Sequence, residues 1–127
     1  MPLSAWRTNN RVTVYLIGRL PPDLWQANIP GVPRRSIRTI AAHLHNARCW
    51  WIKMLGQEHG IRVPLRVNLQ TVARRSVVAA LNRSSHGIEA LLKLGLASGG
   101  AVPPSRSYVW RNLPLDVGHV LTYFTSH

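Results

Sequence analysis

The sequence predicts an all-α domain, a four-helix bundle with a shortened fourth helix. Three observations carry that prediction: apolar residues recur at helical spacing, Pro/Gly clusters separate the periodic stretches, and no stretch reads securely as a strand. At 127 residues and 46% hydrophobic content, the chain is long enough for one real core, so residues 1–127 are expected to form a single domain.

The first helix is expected over about Trp6–Leu20. Within it "VTVYLI" (Val12–Ile17) is rich in β-branched and aromatic residues and reads as a strand on propensity alone. It is assigned to helix because the rest of the chain is helical. Pro21 and Pro22 end it, and "NIPGVPRR" (Asn28–Arg35) is a connector with turn chemistry. The second helix carries the clearest signal. Ser36 suits the N-cap, and no Gly or Pro interrupts the chain until Gly56. Ile37, Ile40, Ala41, Leu44, Trp51 and Leu55 fall on one stripe when each residue advances by roughly 100°. A loop, "GIRVPLRVN", follows.

The third helix is expected from about Gln70 to Leu94, with Val77, Leu81, Ile88, Leu91 and Leu92 on one face. "GLASGGAVPPSRS" then breaks it and makes a long connection. The fourth begins after Pro114, where Asp116 complements the electropositive helix N-terminus, and Val117, Val120, Leu121 and Phe124 repeat at helical spacing.

Composition narrows the function classes. No apolar run approaches the roughly 18 residues that span a bilayer. The opening "MPLSAWRTNN" lacks the organisation of a secretory signal, and the single Cys49 cannot form an internal disulfide, so a cytoplasmic location is expected. There are 16 Lys+Arg against 4 Asp+Glu. Such an excess suits nucleic acid or an acidic partner. Yet the arginines are scattered, without a dense run, a zinc-finger spacing or a basic heptad, and codon composition explains them equally well; nucleic-acid binding is not expected. Asp23, Glu58, Glu89 and Asp116 are too few and too dispersed for paired-acid catalysis, and no Ser/His/Asp constellation can be drawn.

Six histidines remain: His43, His45, His59, His86, His119 and His127. Each taken singly is most simply a surface or boundary residue, and His59 and His86 sit beside glycines where solvent is expected. His43 and His45 diverge by roughly 200° on a helix, each about a quarter-turn from the apolar stripe on opposite sides, so periodicity does not choose between them. His119, Tyr123 and His127 step along one edge at i, i+4 and i+8, with His127 nearest the stripe. Imidazoles projecting from different helices are how bundles build metal sites, often with a position left open for water or substrate. Trp50 and Trp51 are expected as core rather than as a pocket wall, and Cys49 as an inert buried thiol.

"SIRTIAAHLHNARCWWIKMLG" and "LPLDVGHVLTYFTSH" together resemble the DinB (damage-inducible, YfiT-like) superfamily of metal-binding four-helix bundles. The similarity continues through "WRTNNRVTVYLIGRLPPDLW" and "SSHGIEALLKLGL". The family's second-helix pattern reads here as Ala41-Ala42-His43-Leu44 followed by Trp50 and Trp51, and His127 matches the first of its two fourth-helix histidines. The resemblance implies divalent-metal binding (Zn²⁺ or Ni²⁺) through His43, His127 and a third histidine that this chain does not contain. The sequence thus reads as cut inside the metal-binding helix, with metal weakly held or absent; His45 and His119 are the fallback ligands. The resemblance further implies, for some branches, a transferase or hydrolase activity dependent on a low-molecular-weight thiol. A helical homodimer is the alternative expectation, because a short last helix leaves apolar surface uncovered.

Overall fold

The computed structural model describes residues 2–31, 35–106 and 113–125. It contains four helices, α1 (Pro2–Arg19), α2 (Ile37–Gly56), α3 (Arg74–Ala97) and α4 (Val117–Thr125), with single 3₁₀ turns at Pro22–Leu24 and Gln57–His59. No helix of the described residues is long and apolar enough to cross a membrane.

Helix α1 forms despite its β-branched run because one face is needed inside: Trp6, Asn10 and Ile17 are buried. It starts at Pro2, earlier than the apolar pattern suggests, since a proline is tolerated in the first turn where its missing N–H is not required. Helix α2 begins where the capping signal places it. The Ser36 side chain accepts from the Thr39 backbone N–H, and the Thr39 hydroxyl oxygen accepts in turn from the Ser36 N–H. Helix α3 begins four residues later than expected and continues to Ala97. Residues 68–72 are held instead in a side-chain-stabilised turn, in which Asn68 accepts from the Gln70 N–H through its side chain and from the Val72 N–H through its carbonyl. Gly99 and Gly100, at φ +85° and +100°, then turn the chain out of the helix. Asp116 serves α4 as expected, its carboxylate accepting from the His119 N–H at 3.2 Å.

Contacts fix the directions of the helices. His45 and Arg48 of α2 meet Ser84 and Leu81 of α3, and Ile52 lies over Gly87, where a Cβ would come within 2.5 Å of its Cδ1. Gly56 lies against Leu91. Both chains advance together, so α2 and α3 are parallel. The irregular segment 61–73 supplies the return: Ile61 bonds Gly56, the Leu65 carbonyl reaches His45, Val67 pairs with Asn46, and the Val72 carbonyl accepts from Trp25. Helix α1 runs opposite to α3, with Trp6 at Ser85 and Asn10 at Asn82. Helix α4 starts beside Gly95 and runs back until Tyr123 stacks on Trp51 at 5.4 Å and Phe124 meets Trp6 and Trp51 edge-on. It is therefore antiparallel to α2 and α3.

The core is divided. One apolar cluster, around Trp6, Ile52, Leu91 and Phe124, fills the α4 end, and a smaller one around Ile17, Trp25, Val77 and Leu81 fills the other. Between them lies a buried polar layer of Asn10, His45, Arg48 and Ser84. That layer explains where the sequence pattern placed only part of the α2 interior. The predicted stripe holds at Ala41, Trp51 and Leu55, which are buried, but Ile40 is 43% exposed, and the buried face extends round through Ala42, His45, Cys49 and Ile52. Hydropathy cannot register a polar side chain that finds its partners inside.

Candidate functional site

The two vicinal histidines of α2 separate as helical geometry requires. His45 is fully buried and His43 is exposed. The Nε2 of His45 lies 2.8 Å from the Leu65 carbonyl oxygen, and its Nδ1 lies 3.0 Å from the Ser84 hydroxyl. A carbonyl only accepts, so Nε2 carries the proton and Nδ1 accepts from Ser84. Burial pushes the His45 pKa down, with the Leu65 hydrogen bond opposing and the nearby Arg48 charge adding to the fall. A neutral imidazole with both nitrogens engaged has no lone pair to offer a metal, so His45 is a structural residue.

That geometry gives a pH prediction. The folded-state pKa of His45 lies below its ordinary 6.5, so the unfolded chain binds more protons once the pH falls below that value. Stability from this group is complete above pH 6.5 and declines as the pH drops. Chemical denaturation at a series of pH values should show the decline, and His45→Gln should flatten it. A slope unchanged by the substitution would contradict the buried neutral assignment.

Cys49, one turn after His45, places its Sγ 3.3 Å from Nε2. The pair does not form an activated thiolate and imidazolium. Burial raises the Cys49 pKa despite the opposing Arg66, Arg48 and Arg83 charges, while burial lowers that of His45. Arg48 is the most unusual member of the layer. It is 2% exposed, and its Nη1 donates to the Asn10 side chain at 2.8 Å and to the Leu81 carbonyl at 2.9 Å. Its Nε and Nη2 have no hydrogen-bond acceptor among the described residues, but the guanidinium lies 4.7 Å over the Trp6 ring. Burial brings its pKa down to about 10.

His43 faces the other way, onto the outer side of α2. It stands between two open grooves. One, of about 470 Å³, lies toward Arg35, Thr39, Leu69 and Gln70. The second, of about 490 Å³, is lined by His43, Ala47, Cys49, Trp50, Trp51, Lys53, Val63 and Arg66, with Asn46 at its edge. Asn46 fixes that edge by a two-way bond with Val67, donating to its carbonyl and accepting from its N–H, both at 2.9 Å. Trp51 is core as expected, but its neighbour Trp50 is 39% exposed and forms the groove wall. Alternation of facing between adjacent helical residues decides this, and a paired Trp-Trp motif conceals it.

No protein-family model matches the chain, no characterised protein matches it in sequence, and no solved structure matches it in fold.

Of the two predicted ligands, His43 is therefore exposed on this outer face, and His127 lies outside the described residues. Among the described residues, no three His, Cys, Asp or Glu side chains gather closely enough to hold an ion. His119 is exposed and turned onto Asp116, its Nδ1 2.5 Å from the carboxylate, which this contact draws below its usual pKa. His59 and His86 are exposed, as expected, and His59 bonds the Pro103 carbonyl. Sequence reasoning left the facing of His45 open and missed the burial of Arg48; a buried guanidinium leaves no trace in a hydropathy pattern.

Proposed function

We propose that the chain is a DinB-like divalent-metal-binding helical protein in which His43 of α2 and His127, two positions after the end of α4 in sequence, supply ligands to one ion. One observation supports the pairing best. His43, Ala47 and Trp51 succeed one another at i, i+4 and i+8 on α2, and Trp51 stacks on Tyr123, which precedes His127 by four residues. Because α4 is antiparallel to α2, its axis is directed from Trp51 toward Ala47 and His43.

Two imidazoles leave an ion mostly open to water, so affinity in this chain is expected to be weak. A bound divalent ion would lower the pKa of a coordinated water or thiol toward neutrality. The neighbouring residues contribute an apolar wall, Trp50 and Trp51, and a cationic rim, Lys53 and Arg66. Calorimetric titration with Zn²⁺ and Ni²⁺ tests the reading. The wild-type chain should bind one equivalent weakly, and His43→Ala and His127→Ala should each abolish the heat. Binding that survives both substitutions would refute it.

A second reading, a helical association module, is favoured by the outer face of α1, where Val12, Tyr15 and Leu16 are 51%, 57% and 59% exposed. It predicts a homodimer in sedimentation velocity that Leu16→Glu converts to monomer; a wild-type monomer at micromolar concentration would end it.

A further inference from the structure

The groove between α2 and segment 61–73 has a chemical character of its own, apart from any metal. Its walls are apolar and aromatic: Trp50, Trp51 and Val63. Its rim carries two cations from different elements, Lys53 of α2 and Arg66 of the returning segment, and no carboxylate lines it among the described residues. Its volume of about 490 Å³ falls in the range of small-molecule sites. The Asn46–Val67 clasp ties the segment bearing Val63 and Arg66 to α2, so the two walls are held before any ligand arrives. The chain as a whole carries a formal net charge of +12, which draws anions toward such a cleft.

We infer that this groove binds a small aromatic monocarboxylate, its ring against Trp50 and Val63 and its carboxylate between Lys53 and Arg66. The aromatic body would gain from burial and edge or face contact with the Trp50 indole. The carboxylate would gain charge-assisted hydrogen bonds, bidentate where it meets the planar guanidinium. A phosphate-rich polymer suits the site less, because the groove offers a run of phosphates only two cations, Lys53 and Arg66, beside an apolar wall.

The inference shares its groove with the metal reading but does not depend on the ion, so the test uses chelator-treated protein. Isothermal titration compares 2-naphthoate with 2-naphthamide, which has nearly the same shape and no charge. Naphthoate should bind at least about tenfold more tightly. The double substitution Lys53→Gln/Arg66→Gln should remove that advantage while leaving naphthamide unchanged, and Trp50→Ala should weaken both ligands. Lys93→Gln/Arg19→Gln removes the same charge from exposed positions elsewhere and should change neither. Equal affinity for the two ligands, no binding of either, or the same loss in the distant charge pair would overturn the assignment.

Discussion

Replacing Trp6 with alanine is expected to remove about 3–5 kcal/mol of folding stability, the range for truncating a fully buried large aromatic. Trp6 has no exposed surface and joins three parts of the molecule. Its indole N–H donates to the Ser85 hydroxyl at 3.0 Å, its ring meets Phe124 edge-on at 6.1 Å, and its face lies under the Arg48 guanidinium. Truncation therefore opens a cavity between α1, α3 and α4. It also strips Arg48 of the ring that its two acceptor-less nitrogens lie near, and an uncompensated buried charge is costly. Against a typical total of about 5–15 kcal/mol, the loss leaves a marginal fold. Urea denaturation should report a much lower midpoint. Trp50→Ala, at a part-exposed position, should cost about 1 kcal/mol or less. Similar losses at the two positions would show that the polar layer and its aromatic lid do not hold the bundle together.

Extending the chain by one helical turn that places a histidine four positions beyond His127 is expected to raise Zn²⁺ affinity by about a hundredfold or more. Losing an outer-shell partner already costs up to about that much, and a direct ligand counts for more. Residues at i and i+4 share a helix face, so the added imidazole and that of His127 can grip one ion. Two ligands from the extension side and His43 from α2 make three, the number that catalytic sites commonly use. The same extension carrying alanine in place of the new histidine should leave affinity where the shorter chain has it. An equal gain from both extensions would mean that helix length, and not coordination, sets the affinity.

Local chemistry made much of the fold legible. The Ser36 cap, the Pro21–Pro22 stop and the face formed by Val77, Leu81, Ile88, Leu91 and Leu92 all stand in the structure where the sequence places them, and each of those five side chains is fully buried. These features depend only on neighbouring residues or on a simple period. The interior of α2 was legible only in part, at Ala41, Trp51 and Leu55, because three of its other buried positions, His45, Asn46 and Arg48, are polar. Their partners, the Leu65 carbonyl, the Val67 backbone and the Asn10 side chain, lie on segments distant in sequence. Only the course of residues 61–73 back along α2 brings two of them there. The choice between His43 and His45 depended on that course as well: the imidazole facing α3 was drawn into the polar layer, and the other was left at the grooves.

The central claim is that His43 and His127 bind the same ion, and histidine ring resonances in NMR test it most directly. On addition of substoichiometric Co²⁺, the ring protons of His43 and His127 should broaden together and at the same metal concentration, while those of His45 keep their line width far longer. Broadening of His43 without His127, or of both at independent concentrations, would contradict a shared site.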